Sequence, residues 1–302
     1  MKKRLVSCCI AALAFAACED KVQPVPRPLP VKQVQRVAPL PPVVAAAPFD
    51  AVEEPADVLA LAHDQKNVDH LGRAKKLADE GDRAGALTEA RRAVFSMPTD
   101  PEALQLIARL TQKLGKHALS AEAWGRISIQ DTGDAIPAIA QARALVKARQ
   151  FERGVVAGKE AISRDPGNPE AFQATGLAHL GAGELQSAIA MFNKVIELEP
   201  GHGWALNNLG LAFLRANENE KAVEVLTRSA ELLPTTAYVH NNLGIALERV
   251  GRKDEAKQAY LTSTTLSPKY VKARINAERV ARVGTIEELD FDEHTADSVP
   301  EN

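Results

Sequence analysis

Small residues recur along this 302-residue chain with a period of 34. Counted from residue 67, six units follow without insertion: 67–100, 101–134, 135–168, 169–202, 203–236 and 237–270. Their eighth positions are Ala74, Ala108, Ala142, Gly176, Gly210 and Gly244, and their twentieth are Ala86, Ser120, Gly154, Ala188, Ala222 and Ala256. Larger apolar residues such as Phe172, Leu209, Phe213, Leu243 and Leu247 flank these columns at helical spacing. The distance between packed helices is set by the side chains at their contact, so two small columns predict two closely packed helices, A and B, in every unit. Glycine at position 15 (Gly81, Gly115, Gly183, Gly251) suits the turn between them. Proline closes five of the six units, at Pro98, Pro166, Pro200, Pro234 and Pro268, with Thr132 at the vacant step. The third unit fits worst, because Gly158 stands at position 24, where Trp124, Phe192 and Tyr260 stand in other units as core residues. Residues 56–66 read as a lead-in helix. Residues 271–284 read as a seventh A-type helix with Glu278 in the eighth position, a carboxylate that suits a cap on which no B helix packs.

This spacing resembles the tetratricopeptide repeat family, whose 34-residue period and small–small–proline pattern it shares. The last three units resemble it most, through Gly176-Leu177-Ala178, Asn207-Asn208-Leu209-Gly210 and Asn241-Asn242-Leu243-Gly244. The resemblance implies an all-α, right-handed superhelical solenoid of six helix-turn-helix repeats and a capping helix.

Composition narrows the chemistry. Hydrophobic residues make up 45% and the net charge is −2, which argues against a nucleic-acid surface. All three cysteines, Cys8, Cys9 and Cys18, precede the array, so neither a disulfide framework nor a thiolate zinc site is expected in it. The histidines (His63, His70, His117, His179, His202, His240, His294) form no HxxxH or HxH pair, and no phosphate loop or G-x-S-x-G motif occurs. Paired acids such as Glu197 and Glu199 suit a solvated helix end. No enzyme activity, cofactor, metal or small-molecule substrate is expected.

Lys2, Lys3 and Arg4 precede a short uncharged apolar run over residues 5–15, and Phe15-Ala16-Ala17-Cys18 ends it. This resembles a bacterial lipoprotein signal with its lipobox. The resemblance implies a signal peptide over 1–17, cleavage before Cys18, and diacylglycerol on its sulfur. The protein is then expected in the cell envelope, lipid-anchored and facing the periplasm, in either the inner or the outer membrane. Residues 18–55 form a tether holding nine of the 18 prolines. Proline fixes φ and removes a hydrogen-bond donor, so an extended spacer is expected. The tail, 285–302, has seven acids and no Lys or Arg, and is expected to be disordered. The array is opposite in sign, with 29 basic and 25 acidic residues over 67–284.

In tetratricopeptide repeats the A helices line the concave face, and positions 2, 6, 9 and 13 point into it. The resemblance therefore implies a peptide-binding groove formed by Trp204, Asn208, Leu211 and Arg215, by Tyr238, Asn242, Ile245 and Arg249, and by Lys272, Asn276 and Arg279 in the cap. Asn208, Asn242 and Asn276 recur at 34-residue steps. An amide both donates and accepts, so these three could grip a peptide backbone, or could stabilise the helices themselves. Trp204 and Tyr238 occupy a position where core packing demands no aromatic. Lys113, Lys147, Arg215 and Arg249 make a basic column, whose reversal at Arg215 and Arg249 should weaken binding and leave melting unchanged. The family's two-carboxylate clamp is unmatched, since Gln173 and Leu177 stand where its first Lys and Asn would be. The acidic tail either is merely solvated or docks residues 286–293 against Arg249, Lys272, Arg279 and Arg282, with Leu289 and Phe291 on Trp204 or Tyr238. The function expected is that of a lipid-anchored scaffold or adaptor binding a protein or extended peptide. Alternatives are a pilotin-like assembly factor for a type IV pilus or secretin complex, an adaptor for cell-wall enzymes, and a passive envelope spacer.

Overall fold

The computed structural model describes residues 68–281. Every described residue lies within Pro48–Asn302. The segments expected to form the signal peptide (1–17), the lipidated Cys18 and tether (18–55), the lead-in helix (56–66), residues 282–284 of the cap and the acidic tail (285–302) lie outside the described residues.

The described residues form helices and turns only. The A helices are α1 (His70–Asp79), α3 (Pro101–Lys113), α5 (Ile136–Lys147), α7 (Pro169–Ala182), α9 (Gly203–Arg215) and α11 (Ala237–Arg249). The B helices are α2 (Arg83–Ser96), α4 (His117–Gln130), α6 (Phe151–Arg164), α8 (Leu185–Leu198), α10 (Asn219–Leu232) and α12 (Lys253–Leu266). The cap is α13 (Val271–Ala281). Several starts are fixed by side-chain caps. Asp100 and Asn168 accept from the backbone amides of Glu102 and Glu170, just ahead of Pro101 and Pro169 at the first helical position.

The turn between A and B is left-handed in all six repeats. Gly81, Gly115, Gly183 and Gly251 have φ of 85°, 71°, 78° and 81°, and Arg149 and Asn217 take the same place at 58° and 59°. The two residues that break the glycine pattern therefore keep its geometry, at the steric cost a Cβ brings there.

Both small columns are buried. A Cβ on Gly176, Gly210 or Gly244 would lie 2.6, 2.4 or 2.5 Å from Phe192, Leu226 or Tyr260, so position 8 faces position 24 across the A–B contact. In the third repeat the missing aromatic is replaced by close approach. A Cβ on Gly158 would lie 2.2 Å from the Thr175 hydroxyl and 3.1 Å from its Cα, so α6 sits directly against α7. The core there is mostly alanine: Ala138, Ala142, Ala157, Ala161, Ala171 and Ala174. Repeats four to six share one larger cluster around Phe192, Leu206, Leu214, Leu226, Ile245 and Tyr260.

Successive A helices touch one another (α1–α3, α5–α7, α7–α9, α9–α11, α11–α13), whereas successive B helices make no comparable contact. The array therefore curves with its A helices inside. Among the described residues no helix is long and apolar enough to cross a membrane.

Candidate functional site: the A-helix face of the last repeats

Three layers make up the inner face over α9, α11 and α13. The outermost is a row of partly buried side chains at position 2: Trp204, Tyr238 and Lys272. Tyr238 meets Tyr270 edge to face, with ring centroids 5.1 Å apart and planes at 89°. Tyr270 lies just before α13 and extends the aromatic row by one ring. The sequence pattern missed it because it precedes the helix whose stripe was read.

Below lies a ladder of buried amides. Asn276 donates from Nδ2 to Asn241 Oδ1 at 3.1 Å, and Asn242 to Asn207 Oδ1 at 3.0 Å. Within each pair, Asn241 donates to Asn242 at 3.5 Å and Asn207 to Asn208 at 3.3 Å. All five are buried, at 1% exposure or less. The expectation that Asn208, Asn242 and Asn276 present their amides to a ligand is corrected here. At Asn242 and Asn276, position 6 reaches back to position 5 of the preceding repeat, 35 residues earlier, so these two couple repeats. Asn207 and Asn241 are the partners the stripe argument overlooked. The same register points Asn208 at Gln173, where the ladder stops. Asn208 Nδ2 and both amide atoms of Gln173 are buried without a hydrogen-bond partner.

Leu211 and Ile245 are also corrected from groove to core, at 2% and 0% exposure, because they pack between A helices. The arginines at position 13 reach the repeat before theirs. Arg215 Nη1 donates to Leu180 O at 2.9 Å, and Arg249 Nη1 to Leu214 O at 2.7 Å. Burial pulls the Arg249 guanidinium below its usual range, opposed by the nearby Tyr260. Charge reversal at Arg215 and Arg249 would break these ties between repeats, so the expectation that melting stays unchanged is withdrawn.

Arg279 departs furthest from its expected place. It makes a bidentate pair with Glu248, through Nη1 to Oε1 and through Nη2 to Oε2 at 2.7 Å. Tyr260 donates its hydroxyl to Glu248 Oε2 at 2.9 Å. Glu248 is only 4% exposed. Its hydrogen bonds and charge raise the Arg279 pKa against a smaller effect of burial. Burial, then the charge and hydrogen bond of Glu248, push the Tyr260 phenol well above its ordinary value. This triad fastens α11, α12 and α13 together, and Arg279 is a structural cation rather than a groove contact. Of the eleven residues expected in the groove, Trp204, Tyr238 and Lys272 form the partly exposed position-2 row, in which Tyr238 packs on Tyr270.

Tetratricopeptide repeat families match residues 139–203, 179–243 and 237–270, so residues 139–270 carry tetratricopeptide repeats. No protein of curated function matches it significantly in sequence. Solved structures resemble it in fold. The Cut9–Hcn1 hetero-tetramer of the APC/C matches at a TM-score of 0.56 and 15% identity, over 74% of this chain and 46% of that one. MamA, from residue 41 to its end, from Desulfovibrio magneticus RS-1 matches at 0.49 and 19%, over 55% of this chain and 94% of that one. YrrB, described as a TPR protein with an unusual peptide-binding site, matches at 0.48 and 13%, over 64% and 98%.

Proposed function

We propose that this array of tetratricopeptide repeats is a lipid-anchored scaffold on the periplasmic side of a bacterial membrane, which holds a protein partner as an extended segment across its A-helix face. The observation that carries the reading is the aromatic row of Trp204, Tyr238 and Tyr270. Two of its members stand one repeat apart at a position the core does not need. Tryptophan and tyrosine offer large contact area at low entropic cost, and a few such anchors dominate binding at protein interfaces. Lys272 continues the position-2 row and supplies a cation to a partner's carboxylate. The amide ladder and the arginine ties beneath keep the rings at fixed spacing, which reduces the ordering cost of binding. The scaffold has no catalytic role in this reading.

The anchor rests on Lys2, Lys3, Arg4 and the Phe15-Ala16-Ala17-Cys18 run. Two or three acyl chains hold a protein firmly, since each buried methylene contributes about 0.8 kcal/mol. Cys18→Ser should abolish labelling by radioactive fatty acid and release the chain from the membrane fraction. Persistent labelling would contradict the anchor and leave the groove reading standing. For the groove, a photo-crosslinking side chain in place of Trp204 or Tyr238 should yield discrete protein adducts in cells. The exposed B-helix sites Lys159 and Lys257 should yield none. Equal adducts from both faces would contradict an A-face binding site.

A further inference from the structure

The last helix of the array has one face that the described residues leave uncovered. Ala273, Asn276, Ala277 and Val280 turn inward, the first two buried and the last two packed against the main core. On the other side Val271 is 54% and Ile275 53% exposed, one helical turn apart, and exposed Arg274 and Glu278 flank them. Ile275 stands at position 5. In the four preceding repeats that position holds Ile139, Gln173, Asn207 and Asn241, all buried, while Leu71 and Gln105 of the first two repeats are partly exposed. Where Asn207 and Asn241 stand, the next repeat's asparagine covers them. The array thus ends on an exposed apolar pair, and Ile275 stands in a register that the four preceding repeats bury.

We infer that residues 286–293 of this same chain cover that face, running antiparallel to α13. Three observations favour this occupant. The first is alternation. Leu289 and Phe291 alternate with Glu288, Asp290 and Asp292, so an extended segment presents both apolar side chains on one side and its acids on the other. Residues two apart in a strand are ~6.6 Å apart, close to the ~6 Å of four residues along a helix, so Leu289 and Phe291 match Ile275 and Val271 in spacing.

The second is reach. Ile275 lies ~9 Å back along the helix from Ala281. The eight residues from Ala281 to Leu289 span up to ~27 Å, enough for a turn at Gly284 and a return along the helix.

The third is charge. Residues 285–302 carry seven acids and no Lys or Arg, and the end of the array carries Lys269, Lys272 and Arg274. Glu278, the only carboxylate on α13, flanks the same face one turn after Ile275 and offsets part of this attraction. The groove docking expected from sequence loses part of its receptor, because Arg279 pairs with Glu248 and Arg249 with a backbone carbonyl. The outer face of α13 keeps its apolar pair exposed. A tail joined directly to this helix is held at high effective concentration, so even a modest apolar contact is populated.

Amide hydrogen exchange on the full chain tests this. Deleting residues 285–302 should raise exchange in α13 about tenfold, while α5–α7 stay unchanged as an internal control for folding. Leu289→Asp with Phe291→Asp, which adds acid while removing the apolar pair, should reproduce the deletion. High salt should weaken protection in the full chain, because the charged groups lie near the surface. Unchanged α13 exchange on deletion would overturn the proposal. So would protection that survives deletion and rises with protein concentration, which would assign the face to a second copy of the chain. Neither result bears on partner binding at Trp204 and Tyr238.

Discussion

Gly244→Ala should destabilise the array by about 2 kcal/mol, because overpacking a well-filled core costs roughly 1–3 kcal/mol. Helix propensity alone predicts the opposite sign, a gain of about 1 kcal/mol for glycine to alanine inside a helix. Packing wins because of what the new methyl meets. The Cβ would lie 2.5 and 2.6 Å from two ring carbons of Tyr260. That ring is fully buried, and its hydroxyl is tied to Glu248, so it cannot swing aside without breaking the bond. Gly210→Ala is the informative comparison. Its Cβ would meet Leu226, an aliphatic side chain with rotamers to change, so the loss should be smaller. Urea midpoints at constant m-value measure both. A midpoint for Gly244→Ala above that of the natural protein would contradict the packing account.

Glu248→Ala should cost about 3 kcal/mol, within the 3–5 kcal/mol typical when one partner of a buried pair is removed and reduced because Arg279 keeps some access to water. The carboxylate accepts from Tyr260 and from both terminal nitrogens of Arg279. Truncation leaves a buried phenol and a guanidinium with 17% side-chain exposure unmatched at the junction of three helices. The loss should be local first: α13 should exchange its amides with solvent while α1–α8 remain protected. Glu248→Gln should cost less, since its amide oxygen still accepts from Tyr260. A double-mutant cycle with Arg279→Ala isolates the pair, and a coupling energy near zero would show that α13 is held by apolar contacts alone.

The array was legible because its packing is periodic. Columns of alanine and glycine at positions 8 and 20 are a direct consequence of two helices touching, and each unit repeats the statement. The left-handed turn was legible at four glycines but not at Arg149 and Asn217, where the neighbouring helices impose the conformation on residues that do not favour it. The third repeat was less legible for a related reason. Gly158 looked like a missing core residue, but its lack of a side chain is what admits Thr175. The inner face was the least legible part. Helical spacing does put positions 2, 6, 9 and 13 on one stripe, but it does not say how deep the stripe lies. Depth is set by the neighbouring repeats, which bury Leu211 and Ile245 and hold Asn242 and Asn276 against Asn207 and Asn241 of the repeat before. Nothing local marks Glu248 as the partner of Arg279. Its position resembles that of any acid near a helix end until α13 folds over it.

The central claim is that the partly exposed rings on the A-helix face bind the partner while the layers beneath hold them in place. Titration of the crosslinked partner against the purified chain tests it most directly. Trp204→Ala should weaken affinity by about thirtyfold, as loss of one interface anchor typically does, with the urea midpoint unchanged. Unchanged affinity would contradict the claim, as would a loss that appears only together with a fall in the midpoint.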